Sequence, residues 1–80
     1  MYTVEVFKNE TRRIILSFML RRITFLQCMA ALDAALADLR TSATSDEIAS
    51  LDEFRQDNNR MIMREMERRG ASPKKLSRHF

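Results

Sequence analysis

From Ile15 to Leu39 apolar residues recur in alternating steps of three and four, at Ile15, Phe18, Phe25, Met29, Leu32, Leu36 and Leu39, with one interruption at Arg22. That spacing keeps them on one stripe of a helix, because each turn takes about 3.6 residues. Ala30, Ala31, Ala34, Ala35 and Ala37 fill the flanks of the stripe. Alanine favours the helix and lets a second helix approach closely. A chain built on such a stripe folds helix against helix, and the expected fold class is all-α.

The helix extends back to residue 9, where Asn9 or Thr11 can accept the first free N–H groups. Between Ile14 and Leu20 only Ser17 is polar, so this part must be covered on more than one side. Thr24 followed by Gln27 has the form of a capping box, which would begin a new helix after a break near Arg22–Thr24. Against a break, the apolar phase carries across the region without glycine or proline. The reading is therefore one long first helix over residues 9–40, continuous or kinked, with a break as the alternative. Unbroken, it would reach roughly 45 Å. Residues 41–45 connect it to a second helix over 46–69, opened by the capping box Thr44 with Glu47 and closed by Gly70, with Pro73 just beyond. A connection this short predicts an antiparallel helical hairpin.

Tyr2, Val4 and Val6 alternate with Thr3, Glu5 and Phe7, so residues 1–8 read as an extended tail. Residues 71–80 carry base without apolar period and read as a flexible basic tail. With 80 residues the chain forms one domain and buries little surface for its size. The apolar excess on the first helix then calls for a partner, and the expected assembly is a bundle completed by homodimerisation. Its predicted interface is Ile14, Ile15, Phe18, Met19, Leu20, Phe25, Met29 and Leu32. In such a hairpin Arg22 falls opposite Met61–Glu65, making Glu65 its natural partner, and Asn58 falls near Gln27 and Cys28.

Residues suited to chemistry are scarce. The lone histidine, His79, is the penultimate residue of the basic tail, so no histidine-based nucleophile or metal site is expected within the hairpin. No glycine-rich phosphate loop occurs. The expectation is no enzyme, with no catalytic, cofactor-binding or metal-ligating residues. Cys28, beside the stripe, reads as a small buried hydrophobe. One cysteine cannot form an internal disulfide, and no secretory leader is recognisable, so a cytoplasmic setting is expected. The apolar runs Ile14–Leu16 and Phe18–Leu20 are too short to cross a bilayer.

Net charge is +3, with acid early in the last helix and base late, as the helix dipole favours. Arg60, Arg64 and Arg68 stand four apart, and Lys74, Lys75 and Arg78 follow, a pattern able to contact phosphate backbones. Ser72-Pro73-Lys74-Lys75 resembles the short minor-groove motif of linker-histone tails. Glu65 and Glu67 interrupt the stripe, and Glu65 can pair with Arg68 and Arg69 on its own helix. The methionines suggest an adaptable surface, in which Met61, Met63 and Met66 with Phe18, Met19 and Leu20 could line a groove for a partner helix. The expected function is a non-enzymatic, homodimeric protein–protein interaction module. A small nucleic-acid-binding regulator is the alternative.

Overall fold

The computed structural model describes residues 2–70. Among them the chain is all-helical: α1 (Val4–Met19), α2 (Phe25–Arg40), α3 (Ser45–Ala49) and α4 (Asp52–Arg68). The expected single helix over 9–40 is two helices, and the break falls where the capping box lies. Thr24 Oγ1 accepts from Gln27 N at 3.1 Å while Gln27 Oε1 accepts from Thr24 N at 2.8 Å. On the other side of the break α1 ends in a Schellman motif, with Arg21 N donating to Phe18 O at 3.0 Å and Arg22 N to Ser17 O at 2.9 Å. Arg21 takes the left-handed position at φ 61°, where glycine is usual. The seven-residue step from Phe18 to Phe25 therefore does not lie along one helix. It spans a reversal, and the two rings meet edge to face with centroids 6.3 Å apart.

The amino terminus also departs from expectation, because α1 begins at Val4 rather than after an extended tail. Thr3 caps it, its hydroxyl accepting from Val6 N at 3.2 Å. Helical spacing then places Val4 and Phe7 together against Leu36, Leu39 and Leu51, whereas Val6, which the alternating pattern set beside Val4, is exposed. Tertiary burial of Phe7 overrides the strand-like alternation.

The last helix is bent rather than straight. Thr44 and Glu47 form the expected capping box at 3.0 and 3.2 Å. After α3, Ser50 Oγ donates to Glu47 O at 2.6 Å and Leu51 N reaches Ile48 O at 3.0 Å. A tight turn with a serine bonded to the backbone is a recognised cause of bending, and here it carries Leu51 into the core. Gly70 closes α4 at φ 89° with its N–H on Glu67 O at 2.9 Å, the cap the sequence predicts.

Two clusters make the core. Phe7, Ala35, Leu36, Leu39 and Leu51 fill one end, and Ile15, Phe18, Cys28 and Ile62 the other. Their membership fixes the topology: the start of α1 meets the end of α2 and the start of α4, while the end of α1 meets the start of α2 and the later part of α4. The chain is an up-down-up bundle whose hairpin is α1 with α2, and whose α4 lies antiparallel to α2. Ile15 and Phe18, expected at a dimer interface, are covered within the chain. Arg22 is exposed in the turn, away from the partnership expected with Glu65.

Glycine at position 21 would relieve the left-handed backbone. Arg21→Gly should raise stability by about 1 kcal/mol, since an L side chain there costs ~1–2 kcal/mol and glycine's greater unfolded-state freedom takes part of it back. A urea midpoint lower than wild type would contradict the assignment of this turn.

Candidate functional site

The backbone of α1 approaches α2 closely and α4 less so. Because α4 stands off, openings lie on both of its flanks. On one flank Phe7, Thr11, Met29, Leu32, Leu36, Asn58 and Asn59 help line a cavity of about 110 Å³. Thr11 is only 2 % exposed, and its hydroxyl has no hydrogen-bond partner among the described residues. Asn58 contributes to this wall together with Met29, the neighbour of Cys28 in sequence. Ligand pockets for drug-sized molecules run to ~300–1,000 Å³, so the cavity suits small polar species at most.

The other flank is a groove between α1 and α4. Arg12, Ile15, Leu16, Met19, Asn58 and Met61 line its upper part, and Met19, Met61, Arg64, Glu65 and Arg68 its lower part. Met19 and Met61 belong to both, so the surface is continuous. Leu16 is 57 % exposed, Met61 46 % and Met19 36 %, with Leu20 following at 54 %. Helical periodicity explains this face: Met19 stands between Ile15 and Leu16 around α1, and Leu16 and Leu20, four apart, lie further round from Phe18. Met19 and Leu20, expected at a homodimer interface, are exposed on the single chain. Met61, expected with them in a groove, lies there, whereas Phe18 and Met66 of that expected groove belong to or pack against the core; Leu16 is the addition. Leu16 was overlooked because it lies between two stripe residues, although its distance from Leu20 was a usable signal. Ile14, Phe25, Met29 and Leu32 are half-buried against the second cluster.

Charge is arranged around the apolar floor by an unusual clamp. Glu65, 4 % exposed, accepts from Arg68 Nε at 3.0 Å, from Arg68 Nη2 at 2.6 Å and from Arg69 Nε at 2.6 Å. The hydrogen bonds from Arg68 and then Arg69 hold its carboxyl down, from 4.5 to about 2. Arg69 continues across to α1, donating from Nη2 to Phe18 O at 2.8 Å with its guanidinium carbon 4.4 Å from the Phe18 ring centre. α1 has no basic residue in its own last turn, so Arg69 supplies from α4 the positive charge that a helix C-terminus favours. The sequence offered the Glu65 pairings, but nothing in it revealed the 51-residue reach to Phe18.

The predicted nucleic-acid contacts separate on inspection. Arg60 is exposed and paired with Asp57 at 2.8 Å, Arg68 is exposed and engaged with Glu65, and Arg64 is exposed with no polar partner among the described residues. Lys74, Lys75 and Arg78 lie outside the described residues, as does His79. Cys28 is fully buried, and burial pushes its thiol up, away from the reactive thiolate. Among the described residues no group of three or more His, Cys, Asp or Glu side chains is placed to hold a metal ion, and no helix is long and apolar enough to cross a membrane. No known protein family matches the chain, and neither does any curated protein or solved structure.

The clamp carries a pH signature. A carboxyl with a depressed pKa contributes stability that is complete above its unfolded value and is lost as pH falls towards its folded value. Wild-type protein should therefore lose stability between about pH 4.5 and pH 2, and Glu65→Gln should flatten that part of the profile while lowering stability at neutral pH. Urea midpoints measured across this window check it. An unchanged acid slope in the variant would remove the role given to Glu65.

Proposed function

We propose that this chain is a non-enzymatic helical interaction module that engages another protein surface through the groove between α1 and α4. One observation carries the reading: Leu16, Met19 and Met61 are large apolar side chains left substantially exposed along one groove, with Leu20 exposed just after them on the chain, although Ile15 and Phe18 of the same helix are covered. Exposed apolar surface with a polar rim is the usual mark of an interaction site. Methionine suits such a wall because its unbranched thioether adapts to different occupants. The homodimer expected from the sequence is one form of this reading. A lone, buried thiol is consistent with the reducing conditions of a cytoplasmic setting.

Affinity capture with full-length wild type and Leu16→Asp in parallel tests the proposal. Leu16 is mostly solvent-exposed, so the variant should keep its helical circular dichroism and lose proteins that wild type retains. Identical retention by both would reject the groove as the working surface.

A second reading, a nucleic-acid-binding regulator, draws on the exposed row Arg60, Arg64 and Arg68. The ion pairs of Arg60 and Arg68 reduce the charge it can offer. If it holds, binding to a fluorescent mixed-sequence duplex weakens steeply with salt, and Arg64→Glu lowers both the affinity and that salt dependence. No binding at low salt would end it.

A further inference from the structure

We propose that the occupant of the α1–α4 groove is an amphipathic helix of another protein whose apolar anchors are flanked by aspartate and glutamate. The inference rests on the interaction-module reading and adds the chemistry of the partner. Along α1 the groove wall from Arg12 to Met19 runs two turns, about 11 Å, its apolar part Ile15, Leu16 and Met19 occupying the last turn, about 6 Å, and Arg12 standing one turn before it. Leu16 and Met19 on one side and Met61 on the other leave a trough for side chains spaced by three and four.

The rim decides the sign of the partner. Three arginines against one glutamate, Arg12, Arg64 and Arg68 against Glu65, leave the groove walls at net +2. Glu65 is turned inward and held by Arg68 and Arg69, so it offers no acceptor to a visitor. Arg12 is kept at the rim by Asn9 at 3.1 Å and by the Phe54 ring at 5.9 Å. Arg64, with no polar partner among the described residues, is the cation most available to an incoming carboxylate.

A second copy fits this groove poorly. A two-fold contact would bring each positive wall against its own image, and like charges across an interface oppose association. The acidic stretch Asp46–Glu53 of another copy cannot serve as the insert, because Leu51 is buried and Ile48 and Phe54 pack against the core. On α2, Asp33 lines the cavity beside Thr11, Asp38 is exposed elsewhere, and the helix presents one large exposed anchor, Leu26. A helix-in-groove contact needs two or three.

A displayed library of helical peptides decides the matter, with leucine fixed at i, i+3 and i+7 and flanking positions drawn from Glu, Gln and Lys. It is selected on the full-length protein, with Leu16→Ser and Arg64→Glu as matched variants and sedimentation of the protein alone. Glu-rich sequences should dominate, lose binding to Leu16→Ser, and bind Arg64→Glu at least about tenfold more weakly. Glu-rich peptides that bind Leu16→Ser as well as wild type would reduce the effect to general charge attraction and overturn the proposal. Lys- or Gln-rich winners that still need Leu16 would overturn the acidic partner and leave the docking groove standing. Failure to enrich, together with self-association that Leu16→Ser disperses, would assign the groove to a second copy. Failure to enrich from a protein that sediments as a monomer would remove both the partner and the module reading.

Discussion

At Leu20–Thr24 the chain reverses, and the position of every later helix depends on how it does so. Arg21 accepts a left-handed backbone that costs ~1–2 kcal/mol. In exchange the turn satisfies carbonyls at the end of α1 and amides at the start of α2 within a few residues. Because no slack remains, α2 has to run back along α1, and Phe18 meets Phe25 across the turn. The apolar stripe from Ile15 to Leu39 is thereby folded onto itself. Grease that a straight rod would have offered to a second chain is spent on the chain's own hairpin.

α4 is held along its length: Ile62, midway, is buried with Ile15, Phe18 and Cys28, and both ends are tied down as well. Phe54 packs edge to face with Phe7 at 6.3 Å at one end, and Arg69 straps the other to the last turn of α1 through Phe18. As a whole the backbone of α1 lies less close to α4 than to α2. The cavity beside Thr11 and the groove beside Leu16 are two consequences of that single fact. The same clamp that draws the helix ends together neutralises Glu65, and so leaves the groove's arginines as its net charge. Apolar floor and basic rim thus arise from one packing arrangement, on which the proposed docking of an acidic helix relies.

Local chemistry made several features readable in advance. The Thr44 capping box, the glycine closing α4 and the inward stripe depend on near neighbours in sequence, and each is present; the Thr24 box is present too, although the unbroken apolar phase outweighed it in the sequence reading. The start of α1 was misread because alternation over Tyr2–Val6 mimics a strand, while the deciding event is the burial of Phe7 by Leu36, Leu39 and Leu51. The bend before α4 was missed because Ser50 is an ordinary helix residue until its hydroxyl turns back to Glu47 O.

By itself, then, the sequence determined that the chain is helical, where its strongest caps stand, and which residues of the stripe point inward. Tertiary structure decided that the stripe is cut at Arg21, that α4 covers the hairpin, and that Leu16, Met19, Leu20 and Met61 are the apolar residues left outside. The reason is geometric. A period of three and four places residues on the same face of a helix, and it carries no information about which surface lies opposite. That is settled only when distant partners, such as Arg69 and Phe18, come within hydrogen-bonding distance.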